Sequence, residues 1–273
     1  MARKTRFGKC KLCGKKARLS FEHVPPRCTF NDKSVKLISV DKMLGNDDRM
    51  PWELKDLKGV IQQKGKGGYY LCEQCNNTSG SWYIPFYEEF IKGILYVLQK
   101  NDLTDAPAVG VHISKFRPLP IIKQILLMFC DINNDCFKDD GLRAFLLNKE
   151  QKEGFNDKKY KLYAYITRGP LERQNAVMCK IMGINANPQI VTVTEIASFP
   201  VGFALYIDLP DGYIPQGALI NTFAEYNYED ECHADMVLPL LECNTVFSGD
   251  YRSQEEIKAL VEDTNRKLKQ LQE

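Results

Sequence analysis

Four cysteines in two C-x-x-C pairs are the residues with the clearest chemistry in this sequence. Cys10 and Cys13 form the first pair and Cys72 and Cys75 the second, with 58 residues between the pairs. Zinc binds four thiolates in a tetrahedron, and each C-x-x-C turn supplies two of them. A redox pair is the alternative, but such a pair opens a helix in a β-α-β unit, which the flanking sequence does not predict. We therefore predict one structural zinc ion bound by the four cysteines.

A histidine and two oxygen ligands accompany the cysteine pairs. Glu22 and His23 come nine residues after Cys13, and Asn76 directly follows Cys75. Histidine can take a proton from water near neutral pH, and a divalent ion held by oxygen ligands can stabilise a departing oxygen. These residue types suit phosphodiester hydrolysis with Mg²⁺ or Mn²⁺. The alternative interpretation is a structural histidine, a surface glutamate and a helix-capping asparagine.

The order of these motifs resembles the zinc-containing branch of the HNH endonucleases, which have the ββα-metal fold. The resemblance covers residues 8–82 and rests on a C-x-x-C pair, an acid-His-x-x-Pro element and a C-x-x-C pair followed by Asn. It implies that Glu22 and Asn76 are ligands of a catalytic Mg²⁺ or Mn²⁺ ion and that His23 is the general base. The family often has a middle asparagine, which falls at Gly67 in this sequence. We expect a backbone carbonyl or Asn77 to orient the imidazole instead.

Positive charge is concentrated near the N-terminus. Residues 1–36 contain eleven Lys or Arg and two acidic residues, although the whole chain has a net charge of +2. Such a cluster is either a solvated surface or a binding surface for phosphates, and its overlap with the metal motif favours phosphates. The predicted partner is nucleic acid, with DNA expected. The predicted contact residues are Arg3, Lys4, Arg6, Lys9, Lys11, Lys15, Lys16 and Arg18.

The predicted fold class is α+β, with two domains. Residues 1–100 are predicted to form an HNH-like, zinc-braced ββα-metal domain, ending in a helix over 83–100 with Pro85 in its first turn. The polar stretch 101–107 is the predicted boundary, and residues 108–273 are predicted to form a mixed α/β accessory domain. Alternating and β-branched runs predict strands there, and apolar stripes predict helices. The predicted elements are strands at 109–114, 161–168, 189–196 and 201–209 and helices at 120–132 and about 254–271.

The composition limits the kind of protein. The 273 residues are 44% hydrophobic, which excludes a chain that is disordered throughout. No run of about eighteen apolar residues predicts a membrane span, and the basic N-terminus lacks the apolar stretch of a signal peptide. We therefore expect a cytoplasmic protein with no membrane partner, in which the ten cysteines would be thiols or metal ligands.

The sequence as a whole predicts a metal-dependent HNH-type endonuclease. The accessory domain would direct it, activate it through a regulatory partner, or dimerise it, and fold-level analogy suggests restriction or phage defence. A non-catalytic, zinc-stabilised nucleic-acid-binding protein is the main alternative, which the missing middle asparagine favours. A protein whose cysteine pairs only brace a surface for a partner is a third possibility.

Overall fold

The computed structural model describes residues 6–45, 49–133, 139–184 and 187–271. Within these ranges the chain forms three β-sheets, of three, two and seven strands, together with five α-helices. The fold therefore belongs to the α+β class, as the sequence predicted. None of the helices in these ranges is long and apolar enough to cross a membrane.

The N-terminal part combines a small antiparallel sheet with one long helix. Its elements are β1 (Arg6–Lys9), β2 (Lys16–His23), β3 (Val35–Leu37), α1 (Val40–Met43), β4 (Val60–Gln62), β5 (Gly67–Cys72) and α2 (Glu73–Lys100). Strand β2 lies at the centre of the small sheet, with β1 and β5 antiparallel on either side. The segment between β2 and β5 contains α1 and the separate β3–β4 pair. Two adjacent antiparallel strands, β2 and β5, thus lead directly into α2.

Helix α2 begins ten residues earlier than the sequence predicted. It begins at Glu73 and continues through Pro85, which lies inside the helix rather than in its first turn. Buried side chains recur at helical spacing on both sides of the proline, from Ser79 and Tyr83 to Ile94. Packing of this stripe stabilises the helix across a residue that removes one backbone hydrogen bond. Gly80 and Pro85 are therefore weaker helix breakers here than their intrinsic propensities suggest.

The C-terminal part is built on the seven-stranded sheet. Its elements are β6 (Ala108–Phe116), α3 (Pro118–Ile132), α4 (Asp140–Leu147), β7 (Tyr160–Arg168), β8 (Arg173–Ile184), β9 (Asn187–Ala197), β10 (Val201–Ile207), β11 (Ala218–Leu219), β12 (Cys232–Glu242) and α5 (Gln254–Gln270). The strands follow the order β6-β12-β7-β10-β9-β8, and β11 adds to β7. Only the β12–β7 pair is parallel among these neighbours. The four strands and two helices predicted for this region are confirmed.

One hydrophobic core runs through both parts of the chain. It includes Leu12 and Tyr87 from the N-terminal part and Phe129 and Phe203 from the C-terminal part. The hydroxyl group of Tyr83 donates a hydrogen bond to the Leu146 carbonyl at 3.0 Å across this core. The predicted boundary at 101–107 falls in the loop between α2 and β6, and the regions on either side of it are packed together. The small sheet is therefore held in place by the rest of the protein.

Candidate metal and hydrolytic site

The four predicted zinc ligands lie together. Cys10 and Cys13 come from the β1–β2 turn, Cys72 ends β5, and Cys75 lies in the first turn of α2. Their sulfur atoms all lie within 4.8 Å of one another, and the Sγ atoms of Cys13 and Cys72 are 3.9 Å apart. Tetrahedral zinc with Zn–S bonds of about 2.3 Å requires sulfur atoms about 3.8 Å apart. The cluster has the ligand type and spacing to hold a metal ion such as zinc.

The backbone of the first cysteine turn is fixed by hydrogen bonds. The amide of Gly14 donates to the Cys10 carbonyl at 2.9 Å, and Gly14 has a φ of 75°, which favours glycine. Burial raises the pKa of the Cys10 and Cys75 thiols, and the neighbouring thiol charges raise that of Cys75 further. A bound cation would instead lower the pKa of these thiols, because metals bind the thiolate form.

Glu22 and Asn76 are brought together on the face of the small sheet that packs against α2. Glu22 is only 7% exposed, and Asn76 lies in the first turn of α2. The Asn76 side chain hydrogen-bonds to the Glu22 carboxylate and also donates to Ser20 Oγ at 2.9 Å. Burial raises the pKa of Glu22 to about 7, and the Asn76 hydrogen bond opposes this shift. The Glu22 carboxylate therefore lies in a weakly solvated place, directly beside the side-chain amide of Asn76.

The His23 side chain does not join the side chains of Glu22 and Asn76. His23 is the last residue of β2, so its side chain projects to the sheet face opposite to that of Glu22. Its Nε2 atom lies 2.9 Å from the Lys64 carbonyl oxygen. A carbonyl can only accept, so Nε2 carries the proton and Nδ1 is the nitrogen that can accept one in the neutral ring. A backbone carbonyl thus orients the imidazole, whereas Asn77 is exposed on α2.

Position 67, where the middle asparagine of the family falls, cannot hold a side chain. Gly67 pairs with His23 across the sheet, and a Cβ atom there would collide with the Glu22 carbonyl oxygen. The buried Asn31 supports the loop instead. Its Nδ2 atom donates to the carbonyls of Pro25 and Lys66 at 2.6 and 2.8 Å, and its Oδ1 atom accepts from the Lys66 amide at 2.6 Å. Asn31 therefore fixes the segment that carries the Lys64 carbonyl.

Most of the basic residues that were predicted to contact nucleic acid, and that the structure describes, are exposed. Arg3 and Lys4 lie outside the described residues, and Lys11 departs from the predicted set. The Lys11 Nζ atom is directed inward and lies 2.5 Å from the Asp131 carbonyl oxygen and 3.0 Å from that of Asn133. It therefore neutralises the C-terminal end of α3 rather than facing solvent. The exposed members of the set are Arg6, Lys9, Lys15, Lys16 and Arg18.

A groove beside the cysteine cluster is bordered by part of this basic surface. It has a volume of about 650 Å³, and Lys15, Lys16, Arg18 and Trp82 are among its lining residues. Arg18 also lies 3.5 Å from the carboxylate of Glu73 at the start of α2. Both side chains of this ion pair are at least half exposed, so it holds Arg18 only weakly.

Comparisons with protein-family models, with curated proteins and with solved structures found no match to this chain. The geometry of the described residues is therefore the basis for the functional proposal.

Proposed function

We propose that this protein is a metal-dependent endonuclease of the HNH type that hydrolyses phosphodiester bonds in nucleic acid, with DNA as the expected substrate. The observation that carries the proposal is the geometry at the end of β2. There the Glu22 carboxylate and the Asn76 side chain meet on one face of the sheet, and the His23 imidazole on the other face is oriented by a carbonyl. The succession of β2, β5 and α2, joined at the cysteine cluster, supports the same proposal.

Glu22 and Asn76 are the residues that would hold the divalent ion. Their oxygen atoms suit Mg²⁺ or Mn²⁺, whereas the cysteine cluster suits zinc, so the two metals would occupy separate sites. When bound, the divalent ion stabilises the negative charge that develops on the phosphate and on the departing oxygen.

His23 would act as the general base. Its Nδ1 atom takes a proton from the attacking water as the water oxygen bonds to phosphorus and the bond to the departing oxygen breaks. The ring then carries a positive charge, which strengthens its hydrogen bond to the Lys64 carbonyl.

A cleavage assay tests this proposal. Plasmid DNA, single-stranded DNA and RNA are incubated with the zinc-loaded protein in Mg²⁺ or Mn²⁺. We expect cleavage that depends on the divalent ion and that Glu22→Gln reduces more severely than Asn76→Ala, because Glu22 supplies a charge to the ion. Higher ion concentrations should partly restore Asn76→Ala. Failure of the wild-type protein to cut any of the three substrates with either ion would contradict the proposal.

A non-catalytic nucleic-acid-binding protein is the second candidate, which the burial of Glu22 favours. Both candidates require the exposed basic residues to bind phosphates, so binding must weaken as salt rises. Reversing the charges of Lys9, Lys15, Lys16 and Arg18 should flatten the plot of log affinity against log salt by about 3–4 units of slope, because each neutralised phosphate contributes about 0.9. An unchanged slope would show that this surface is merely solvated.

A further inference from the structure

Asp131 has a buried carboxylate oxygen that the protein does not satisfy. The residue lies in the last turn of α3 and is only 1% exposed. Its Oδ1 atom has no hydrogen-bond partner within the described part of the chain. A buried carboxylate oxygen without a partner is unfavourable, so this atom is free to accept a ligand.

The contacts of Lys11 and Tyr70 place Asp131 against the small sheet. Lys11 donates to the Asp131 carbonyl, and its Nζ atom lies 4.8 Å from the centre of the Tyr70 ring. That ring covers Gly68, which is the residue directly across the sheet from Glu22. The end of α3 therefore approaches the face on which Glu22 and Asn76 meet.

The electrostatics of the two carboxylates agree with this placement. The Asp131 and Glu22 carboxylates are both buried and lie near enough to repel each other when both are charged. The hydrogen bonds of Lys11 go to main-chain carbonyls and not to the Asp131 carboxylate. The lysine thus leaves Oδ1 without a partner.

We propose that Asp131 is a third ligand of the divalent ion, beside Glu22 and Asn76. This inference rests on the proposed function, and it adds a ligand from the C-terminal part of the chain that the N-terminal motif did not predict. A divalent ion would remove the repulsion between the two carboxylates and provide a partner for Oδ1. The three ligands come from β2, α2 and α3, so the site would be incomplete without the C-terminal part.

Direct measurement of Mn²⁺ binding tests this inference. The full-length, zinc-loaded protein is titrated with Mn²⁺, and free Mn²⁺ is followed by electron paramagnetic resonance. Asp131→Asn removes the charge but keeps the shape, and Asp235→Asn is the matched control because Asp235 is an exposed carboxylate paired with His112. We expect Asp131→Asn to weaken Mn²⁺ binding at least about tenfold, since loss of even an outer-shell partner weakens metal sites by about 10–100-fold. Asp235→Asn should bind Mn²⁺ like the wild type.

Thermal unfolding with and without Mn²⁺ supplies a second readout. Mn²⁺ should raise the melting temperature of the wild type. It should not raise that of Asp131→Asn, although this variant should still be folded in the absence of Mn²⁺. If Asp131→Asn folds poorly, Asp131→Ser provides the second variant, with the same loss expected.

The possible results separate this inference from the proposed function. Wild-type Mn²⁺ affinity in Asp131→Asn, together with weakened binding in Glu22→Gln, would overturn the assignment of Asp131 and leave the proposed function standing. Faster cleavage by Asp131→Asn would also overturn the assignment of Asp131 as a ligand, because the Asp131 carboxylate would then inhibit cleavage. Mn²⁺ binding that depends on all three residues, without cleavage of any nucleic acid, would support the ligand assignment and refute the nuclease.

Discussion

Asn31 provides a sharp test of how the site is supported, because three buried hydrogen bonds converge on one side chain. Asn31→Ala leaves the Pro25 carbonyl and the Lys66 amide without partners, whereas the Lys66 carbonyl keeps its bond from the Val24 amide. Each orphaned buried group costs about 1–3 kcal/mol, so the two together should lower the free energy of unfolding by about 2–6 kcal/mol. Asn77→Ala, an exposed change on α2, is the matched control and should stay within about 0.5 kcal/mol of the wild type.

Loss of Asn31 should also reduce cleavage. The Lys64 carbonyl that orients His23 lies two residues from the backbone that Asn31 holds, so the imidazole would lose its fixed position. A displacement of about 1 Å in a catalytic group can reduce the rate about 10²-fold. Denaturant unfolding gives the stability, and single-turnover cleavage well below the melting temperature gives the rate. Stability and cleavage equal to those of Asn77→Ala would refute the role assigned to Asn31.

Two further predictions follow from buried groups. Cys72→Ser should release one zinc ion per chain, and chelation of the wild-type zinc should make four additional thiols reactive; a folded, reduced protein that contains no zinc would refute the cluster as a zinc site. Lys123→Met should lower the free energy of unfolding by about 3–5 kcal/mol in denaturant titrations, because the Lys123 ammonium shares its three N–H donors among four main-chain carbonyls in the last turns of α4 and just after it. A change below about 1 kcal/mol would mean that other groups satisfy those carbonyls.

Local patterns predicted much of the C-terminal part. Strands β7, β9 and β10 are runs of β-branched and aromatic residues, and their boundaries match the predictions to within two residues. Helix α5 begins at Gln254, as predicted, and the capping box of Ser253 and Glu256 that fixes its start lies entirely within four residues. Strand β12 was not predicted, since Pro239 and several polar residues interrupt its pattern. Its pairing with β6 and β7 depends on distant partners.

The parts of the site that the sequence did not predict depend on contacts between distant segments. The cysteine spacing identified the cluster, because the ligands of a tetrahedral ion come in recognisable pairs. Asn31 carries no such local signal, since its partner Lys66 lies 35 residues away. Asp131 looks like one residue of an apolar helix until α3 is packed against the small sheet. The inward direction of Lys11 follows from the same packing.

The most direct test of the account compares two histidine variants in a single-turnover DNA cleavage assay with Mg²⁺ or Mn²⁺. His23→Ala removes the proposed base, and His112→Ala removes an exposed histidine of β6 that pairs with Asp235. We expect His23→Ala to lower the cleavage rate about 10²–10⁴-fold while zinc content, folding and DNA binding stay at wild-type levels. We expect His112→Ala to cut like the wild type. Cleavage by His23→Ala at the wild-type rate would contradict the assignment of His23 as the base.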